Sequence, residues 1–518
     1  MSAITLNKTI MKERLFKFAV FSRLSLLVMQ VFFNKLLPDH NADVFKPFHE
    51  ESEMSTLDNL VAFILGGLKR WDGVYFLHIT EYGYTYENTL AFYPLYPLIV
   101  RLIANTVLFP LQFIAHYQSV LCLASASVNF VVFVKSACVL FELGQEVLKN
   151  DRVAYKGALL FSITPSSIFM SAPYSECLYF YLTLRGLLSL ERGNLLHASL
   201  MFGMSFVSRS NGSLNICFLL YVLSKRTLRE LKRLWIDARI NFLVRLTTPW
   251  LFITSTFIPY VLLFAISTMP FVLYHWYVYK LYCTKDITLE MPGHLKQYGE
   301  DNNLKSPDHE PSSWCNNWIP YSYGYIQSHI WGQGFLKYWQ LKQVPNFLLA
   351  VPVTMVTLSL ACTFFKHNRY TCLTLGYDEV GSAKKSEDVD SLFRLEGSAL
   401  VPYVLHALSL TVFAWFCIHI QVLTRLLFSS CPVLYWHCAH LITPHTTRQK
   451  QYNEYDVSAK RLESVEVTCP HAKPWTNLLT NQIWNIQQEP IVTKLILVYF
   501  IGYFVIGVLL FSNFLPWT

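Results

Sequence analysis

Stretches of about twenty apolar residues recur along this chain, and that is the length an α-helix needs to cross the hydrocarbon core of a bilayer. About eight to ten of them can be placed by eye. The expected fold class is therefore an all-α polytopic membrane protein. Composition agrees, since 53% of the 518 residues are hydrophobic and only 15% are charged, against about 25% charged in average soluble domains. That balance excludes a disordered chain and a nucleic-acid-binding protein, and it argues against a soluble enzyme. The net charge of +8 is modest for the length, and in a membrane protein the placement of Lys and Arg matters more than their total. Twelve cysteines follow no zinc spacing and no small disulfide framework, so most are expected to be buried thiols.

The first apolar run, Leu15 to Leu37, follows Lys8, Lys12, Arg14 and Lys17, with Arg23 near its start. It is too long for a signal-peptide core and has no small-residue cleavage site, so it reads as a retained span with a cytosolic basic flank. The loop at 38–88 is acidic and belongs on the opposite, lumenal side. Further runs lie near 89–110, 113–141, 154–172, 174–190, 195–222, 248–274, 345–365, 398–427 and 492–513. Pro94, Pro97 and Pro110 punctuate the first of these, which reads as a span or as a hairpin on the membrane surface. The connector 223–247 carries Arg226, Arg229, Lys232, Arg233 and Arg239 on an amphipathic pattern and is expected at the cytosolic interface. Residues 275–344 form a polar loop rich in Trp and Tyr. A single membrane-embedded domain over 1–518 is expected, and the lack of a visible internal repeat speaks against an inverted-repeat transporter.

The densest chemical feature runs from Arg70-Trp71-Asp72-Gly73 through Glu81-Tyr82-Gly83-Tyr84 to Tyr93-Pro94-Leu95-Tyr96-Pro97. It sets one carboxylate between a cation and a wall of aromatic rings. Tyr82, Tyr84, Tyr86 and Tyr96 have a plain explanation, because Tyr favours the membrane interface. Asp72 does not: an acid in a partly desolvated aromatic setting must be paired or functional. Pairing with Arg70 is its structural alternative. Polar residues inside apolar runs are costly and so are candidates for function; here they are Glu176, Arg209, Asn211, His419, Gln421, Thr424 and Arg425. Each has a structural alternative too, as an interhelical hydrogen bond or a side chain reaching the headgroups.

Several apparent motifs carry little weight. Asp388-Val389-Asp390 has the spacing of a nucleotide-sugar metal site but lies in a charged, turn-rich loop, and His437, Cys438, His440, His445, Cys469 and His471 lack finger spacing. No phosphate-cradling loop of the Walker type occurs, and no metal or cofactor is expected. Neither glycosylation sequon, at Asn7 or Asn211, is expected to carry a glycan.

Taken in order, the segments resemble the PIG-V family over nearly the whole chain. The resemblance rests on Pro38-Asp39-His40, on Trp71-Asp72 through Tyr93-Pro94, on Ala172-Pro173-Tyr174-Ser175-Glu176 and on Arg209-Ser210-Asn211-Gly212. Further on it rests on Trp314-Cys315, Tyr325-Ile326-Gln327, Gly334-Phe335-Leu336-Lys337-Tyr338, Gln343-Val344-Pro345-Asn346, the stretch His419 to Arg425, and Asn513-Phe514-Leu515-Pro516-Trp517. What the resemblance implies is a GT-C type glycosyltransferase of the endoplasmic reticulum. It would use dolichyl-phosphate mannose to add the second, α-1,6-linked mannose to a mannosyl-glucosaminyl-phosphatidylinositol GPI precursor. Its partners would be membrane lipids and these two glycolipids, with no nucleic acid.

The chemistry narrows the roles. Displacing a β-linked polyprenyl phosphate to give an α-mannoside is inversion, so one general base suffices and no covalent intermediate forms. Asp72 is the expected base, with Asp43 as its rival. Phosphate leaves without protonation, so cations replace a second carboxylate; Arg209 and Arg425 are the nominees and His329 a weaker one. Arg70, Trp71, Tyr93, Glu176, Asn211, Gln327, His419 and Gln421 are expected to bind substrate. Cys283 and Cys315 lie near the edges of the aromatic loop, and a disulfide between them is expected if that loop faces the oxidising lumen. Two readings from other classes stay open at this point: a lipid or solute transporter, and a non-catalytic scaffold subunit of a transferase complex.

Overall fold

The computed structural model describes residues 3–42, 45, 53–240, 253–377, 397–443 and 477–517. Among the described residues there is no strand. The chain runs through α1 (Ala3–Leu36), α2 (Thr56–Leu65), α3 (Asp72–Tyr82), α4 (Leu95–Asn105), α5 (Tyr117–Leu148), α6 (Asp151–Ser162) and α7 (Glu176–Glu191). It continues through α8 (Leu195–Phe206), α9 (Asn215–Ile240), α10 (Ile258–Tyr282), α11 (Val344–His367), α12 (Gly397–Cys417), α13 (Leu423–Phe428) and α14 (Ile491–Ser512), with turns and further short helices between, among them Gly293–Asp301 and Pro432–Leu441. Among the described residues six helices, α1, α5, α10, α11, α12 and α14, are long and apolar enough to cross a membrane. The protein is an all-α polytopic membrane protein.

That is fewer long helices than the apolar runs suggest, and the reason is local. The run at 154–172 stops at Ser162, because Pro165 and Pro173 forbid a continuous helix and force an irregular link before Glu176 opens α7. The run at 195–222 breaks after Phe206 for the turn that carries Arg209. These short helices are covered by protein: α5 packs on α6 and α7, α7 on α8, and α8 on α10. Irregular backbone is tolerated at such a depth only when shielded in this way. The run at 89–110 is no span. Its α4 has 11 residues, about 16 Å of helix, and buries Tyr96, Val100 and Ala104 while exposing Leu98 and Leu102. The expected 275–344 loop begins eight residues late, because α10 continues to Tyr282.

Residues 56–91 fold as short helices. Ser55 accepts a hydrogen bond from the Asp58 amide while Asp58 accepts one from the Ser55 amide, a reciprocal cap that starts α2. The other oxygen of Asp58 accepts the His116 amide at 3.0 Å, at the start of α5. Burial works against this carboxyl's charge, but hydrogen bonds from Ser119, Ser55 and the His116 backbone outweigh it and hold its pKa down at about 2. A depressed carboxyl stabilises the fold above its ordinary pKa of about 3.9 and loses that contribution as pH falls toward the folded value. Asp58→Ala is therefore expected to lower the melting temperature of the detergent-solubilised protein, at a cost of about 1–3 kcal/mol. The deficit should shrink progressively as the pH of the melt falls from about 4 through about 2; a deficit unchanged across that window contradicts the assignment.

The 284–344 segment folds over these short helices. The Trp314 indole donates to Glu87 at 2.7 Å, the Tyr86 hydroxyl donates to the Leu295 carbonyl at 2.6 Å, and the Glu87 amide donates to the Lys305 carbonyl at 2.8 Å. Cys283 and Cys315 are disulfide-bonded with Cα atoms 5.6 Å apart. The bridge fastens the end of α10 to the turn that carries Trp314.

Candidate functional site

Asp72 is the first residue of α3, and the residue before it is unusual. Trp71 has φ 51° and ψ −128°, a conformation that a bulky side chain avoids and that is found where surrounding structure enforces it. The enforcement is visible on both sides. Trp71 packs edge-on against Phe514, with centroids 5.9 Å apart. The Asp72 amide donates to the Tyr174 hydroxyl at 3.0 Å.

The kink at Trp71 sends Arg70 and Asp72 to different partners, so the structural alternative, a pairing between them, does not form. Arg70 instead binds Asp39 at 3.0 Å, Asn34 at 3.0 Å and the Ser512 carbonyl at 3.1 Å, with its guanidinium over the Phe514 ring. It ties α1, the following loop and α14 together beneath the site. Asp72 Oδ2 lies 2.9 Å from Arg425 Nη1, a partner 353 residues away.

Arg425 stands in α13, a short helix after the turn Ile420–Val422. Its Nε lies 3.2 Å from Glu176 Oε1, and its guanidinium lies against the Phe169 and Tyr174 rings, 5.1 and 5.5 Å from their centroids. Glu176 opens α7, where the positive end of the helix dipole favours a carboxylate. The same Oε1 lies 2.5 Å from Arg209 Nη1. Arg209 reaches it because the turn after α8 is very tight. A Cβ on Gly212 would fall 2.5 Å from the Phe206 Cα and the Ser205 oxygen, so only glycine allows the chain to fold back there.

Four charged side chains thus form one connected group, Asp72, Arg425, Glu176 and Arg209. Burial of Arg425 works against its charge, yet Asp72 and Glu176 more than offset this and raise its pKa above the ordinary arginine value. The group is graded in exposure. The Glu176 side chain is fully buried, Arg425 and Arg209 are 14% and 18% exposed, and Asp72 is 35% exposed. One carboxylate meets solvent with a cation at its side, above an anchored acid that does not. Such a site can accept a proton at Asp72 and offset negative charge beside it. Among the described residues no cluster of His, Cys, Asp or Glu is arranged to hold a metal ion.

The remaining candidates fall around this group. Asn211 donates to Ser430 at 2.9 Å and Ser210 to the Tyr323 hydroxyl at 2.8 Å, which pins the Arg209 turn. Tyr93 is buried and packs edge-on to Tyr323 at 5.8 Å. Gln327 lies on the wide turn Ile326–Ile330, with its Oε1 buried and without a hydrogen-bond partner. His329 stacks on Tyr325 in the same turn. His419 and Gln421 gather at Tyr338: the His419 ring stacks on it at 4.6 Å, and Gln421 accepts its hydroxyl hydrogen at 3.1 Å. Asp43, Asp388, Asp390, His445, Cys469 and His471 lie outside the described residues. Sequence reading missed the roles of Asp39, Phe169, Tyr323 and Ser430. Asp39 and Tyr174 sit inside the quoted Pro38-Asp39-His40 and Ala172 to Glu176 segments, but nothing local marks a hydroxyl that caps a turn 102 residues away.

The sequence compares clearly with known proteins. The family model for Mannosyltransferase (PIG-V) matches residues 11–518. The chain is 36% identical over 507 residues to GPI alpha-1,6-mannosyltransferase 2 of Cricetulus griseus, covering 98% of this chain and 99% of that protein. It is 35% identical over 507 residues to the Homo sapiens protein of the same name, with the same coverage. It is 34% identical over 436 residues to GPI mannosyltransferase 2 of Drosophila melanogaster, covering 83% of this chain and 91% of that protein.

Proposed function

The chain belongs to the PIG-V mannosyltransferase family, and from that premise we propose that it transfers mannose from dolichyl-phosphate mannose to the mannose of a GPI precursor glycolipid. Family membership makes it a mannosyltransferase and sets aside the transporter and scaffold readings. The names of its relatives support the GPI acceptor and the α-1,6 linkage of the second mannose. The reaction takes place on the lumenal side of the endoplasmic reticulum membrane, in a cleft roofed by the 284–344 segment.

The single observation that carries the mechanism is the geometry of Asp72: half-buried, on the first turn of α3, with Oδ2 2.9 Å from Arg425. Asp72 is the general base. It takes the proton of the acceptor hydroxyl as that oxygen attacks the anomeric carbon, and the bond to the phosphate oxygen breaks with its electron pair. The product is inverted at that carbon. Arg425 and Arg209 offset the charge that gathers on the leaving phosphate. In the resting site both are engaged by carboxylates, so they are held in place ahead of the reaction and need no rearrangement to act. Two lipid substrates meeting in a membrane-embedded site also explain the lack of a nucleotide-binding motif.

The test is reconstitution. Purified protein given radiolabelled dolichyl-phosphate mannose and a mannosyl-glucosaminyl-inositol phospholipid should yield a dimannosyl lipid. Digestion with an α-1,6-specific mannosidase should then release the label. Transfer from GDP-mannose instead, or a product resistant to that enzyme, contradicts the proposal.

A further inference from the structure

Glu176 has no evident place in a one-base reaction, yet it is the most deeply buried charge of the site. Its Oε1 lies within ion-pair distance of two guanidiniums, yet neither of its oxygens makes a regular hydrogen bond. A buried carboxylate oxygen without a partner is costly. Its side chain is fully buried, which keeps it from touching either substrate. We infer that Glu176 is a positioning residue that fixes Arg425 and Arg209 and holds the resting four-residue group at zero net charge until Asp72 is protonated. This rests on the reading of Asp72 as base.

The argument follows from counting charges through the step. At rest two guanidiniums face two carboxylates and the group is neutral. The acceptor hydroxyl gives its proton to Asp72 and its oxygen forms the bond to the anomeric carbon. The bond from that carbon to the phosphate oxygen breaks, and its electron pair stays on the phosphate. A phosphodiester monoanion becomes a phosphomonoester dianion as the Asp72 carboxylate becomes neutral. The protein group thus gains one positive charge in the same step in which the leaving group gains one negative charge.

Geometry decides where that charge acts. Arg425 uses different nitrogens for its two acids, Nη1 for Asp72 and Nε for Glu176. When Asp72 is neutralised, the Nη1 side loses its counter-charge, while Nε remains held by Glu176. The freed side faces the more exposed end of the group, where the phosphate departs. Glu176 therefore keeps the cation stationary during the exchange, and its charge keeps the resting site from gripping a dianionic product before transfer.

Two variants of the full-length protein in detergent separate these roles. Glu176→Gln keeps shape and removes one negative charge, so the resting group becomes a cation. Its kcat should fall by about 10- to 100-fold through misplaced arginines. Dolichyl phosphate, used as a product inhibitor, should bind about tenfold tighter, the scale of one unit charge acting across partly buried protein. KM for the monoanionic donor should fall by less, about threefold on the same reasoning. Damage that is merely structural would weaken product binding and raise KM. Glu176→Asp keeps the charge but shortens the reach by one methylene, so kcat should fall while the inhibition constant stays within about threefold of wild type. An unchanged or weaker inhibition constant in the Gln variant, or full kcat in the Asp variant, overturns the inference. If the Gln variant does not fold, the Asp variant alone decides by the same criteria. Asp72→Asn assayed alongside separates this inference from its premise. Full turnover in that variant rejects the base, whereas a dead Asp72→Asn beside wild-type Glu176 variants rejects only the role of Glu176.

Discussion

Asp72→Asn, in protein that folds and inserts as wild type does, is expected to lose about 10²- to 10⁴-fold in mannosyl transfer, the usual range for removal of a general base. The substitution is unusually clean here. Asn matches Asp in shape, and its carbonyl oxygen can still accept the hydrogen bond from Arg425. The Tyr174 contact is made by the backbone amide of residue 72 and does not depend on the side chain. What disappears is basicity and one negative charge. Asp72→Glu keeps the charge but moves it by one methylene in a site fixed by Trp71 and Tyr174, so it should be impaired as well. The measurement is return of GPI-anchored proteins to the surface of cells lacking this activity. Wild-type restoration by the Asn variant removes Asp72 from the role and leaves Asp43 as the candidate, since Glu176 is too deeply buried to reach an acceptor.

Arg425→Lys should cost about 10²-fold in kcat, although the charge is retained. The arginine meets Asp72 through one nitrogen and Glu176 through another, with its guanidinium against the Phe169 and Tyr174 rings. A lysine has a single nitrogen and no plane, so it cannot reach both carboxylates as the two guanidinium nitrogens do, and either Asp72 loses its cation or Glu176 is left to Arg209 alone. Arg209→Lys should be milder, within about tenfold, because Arg209 meets Glu176 through one terminal nitrogen that an ammonium can imitate. Steady-state kinetics on both variants checks the contrast. Equal losses, or full activity in Arg425→Lys, contradict the two-nitrogen role.

How much of this was legible in the sequence depends on the distance over which each feature acts. The spans were legible because their signal is local: some twenty apolar residues in a row report their own burial. Asp72, Glu176, Arg209 and Arg425 stood out for the same reason, as polar groups in apolar surroundings. Their mutual pairing was not legible. Asp72 and Arg425 are 353 residues apart, and periodicity carries no information about which helix faces which. The nearest cation in sequence, Arg70, was the alternative partner for Asp72, and one backbone torsion at Trp71 that no composition reveals turns it elsewhere. Span counting erred where Pro165, Pro173 and Gly212 break runs whose hydropathy continues across them. An apolar run reports burial, and burial within protein reads the same as burial in lipid.

The support beneath Trp71 also sets an order of events during synthesis. Arg70 takes the Ser512 carbonyl and Phe514 packs on both Arg70 and Trp71, while the counter-ion of Asp72 is residue 425. A ribosome that has just made Arg70 must add 442 more residues before that carbonyl exists, roughly 20 to 90 s at ordinary elongation rates. Throughout that interval the turn bearing Asp72 lacks the Ser512 and Phe514 contacts that support its strained torsion, and until residue 425 is made Asp72 and Glu176 also lack Arg425. A chain that stops before Ser512 and Phe514, through a late frameshift or a stalled ribosome, is therefore expected to keep most of its spans and lose the support of the turn that carries Asp72.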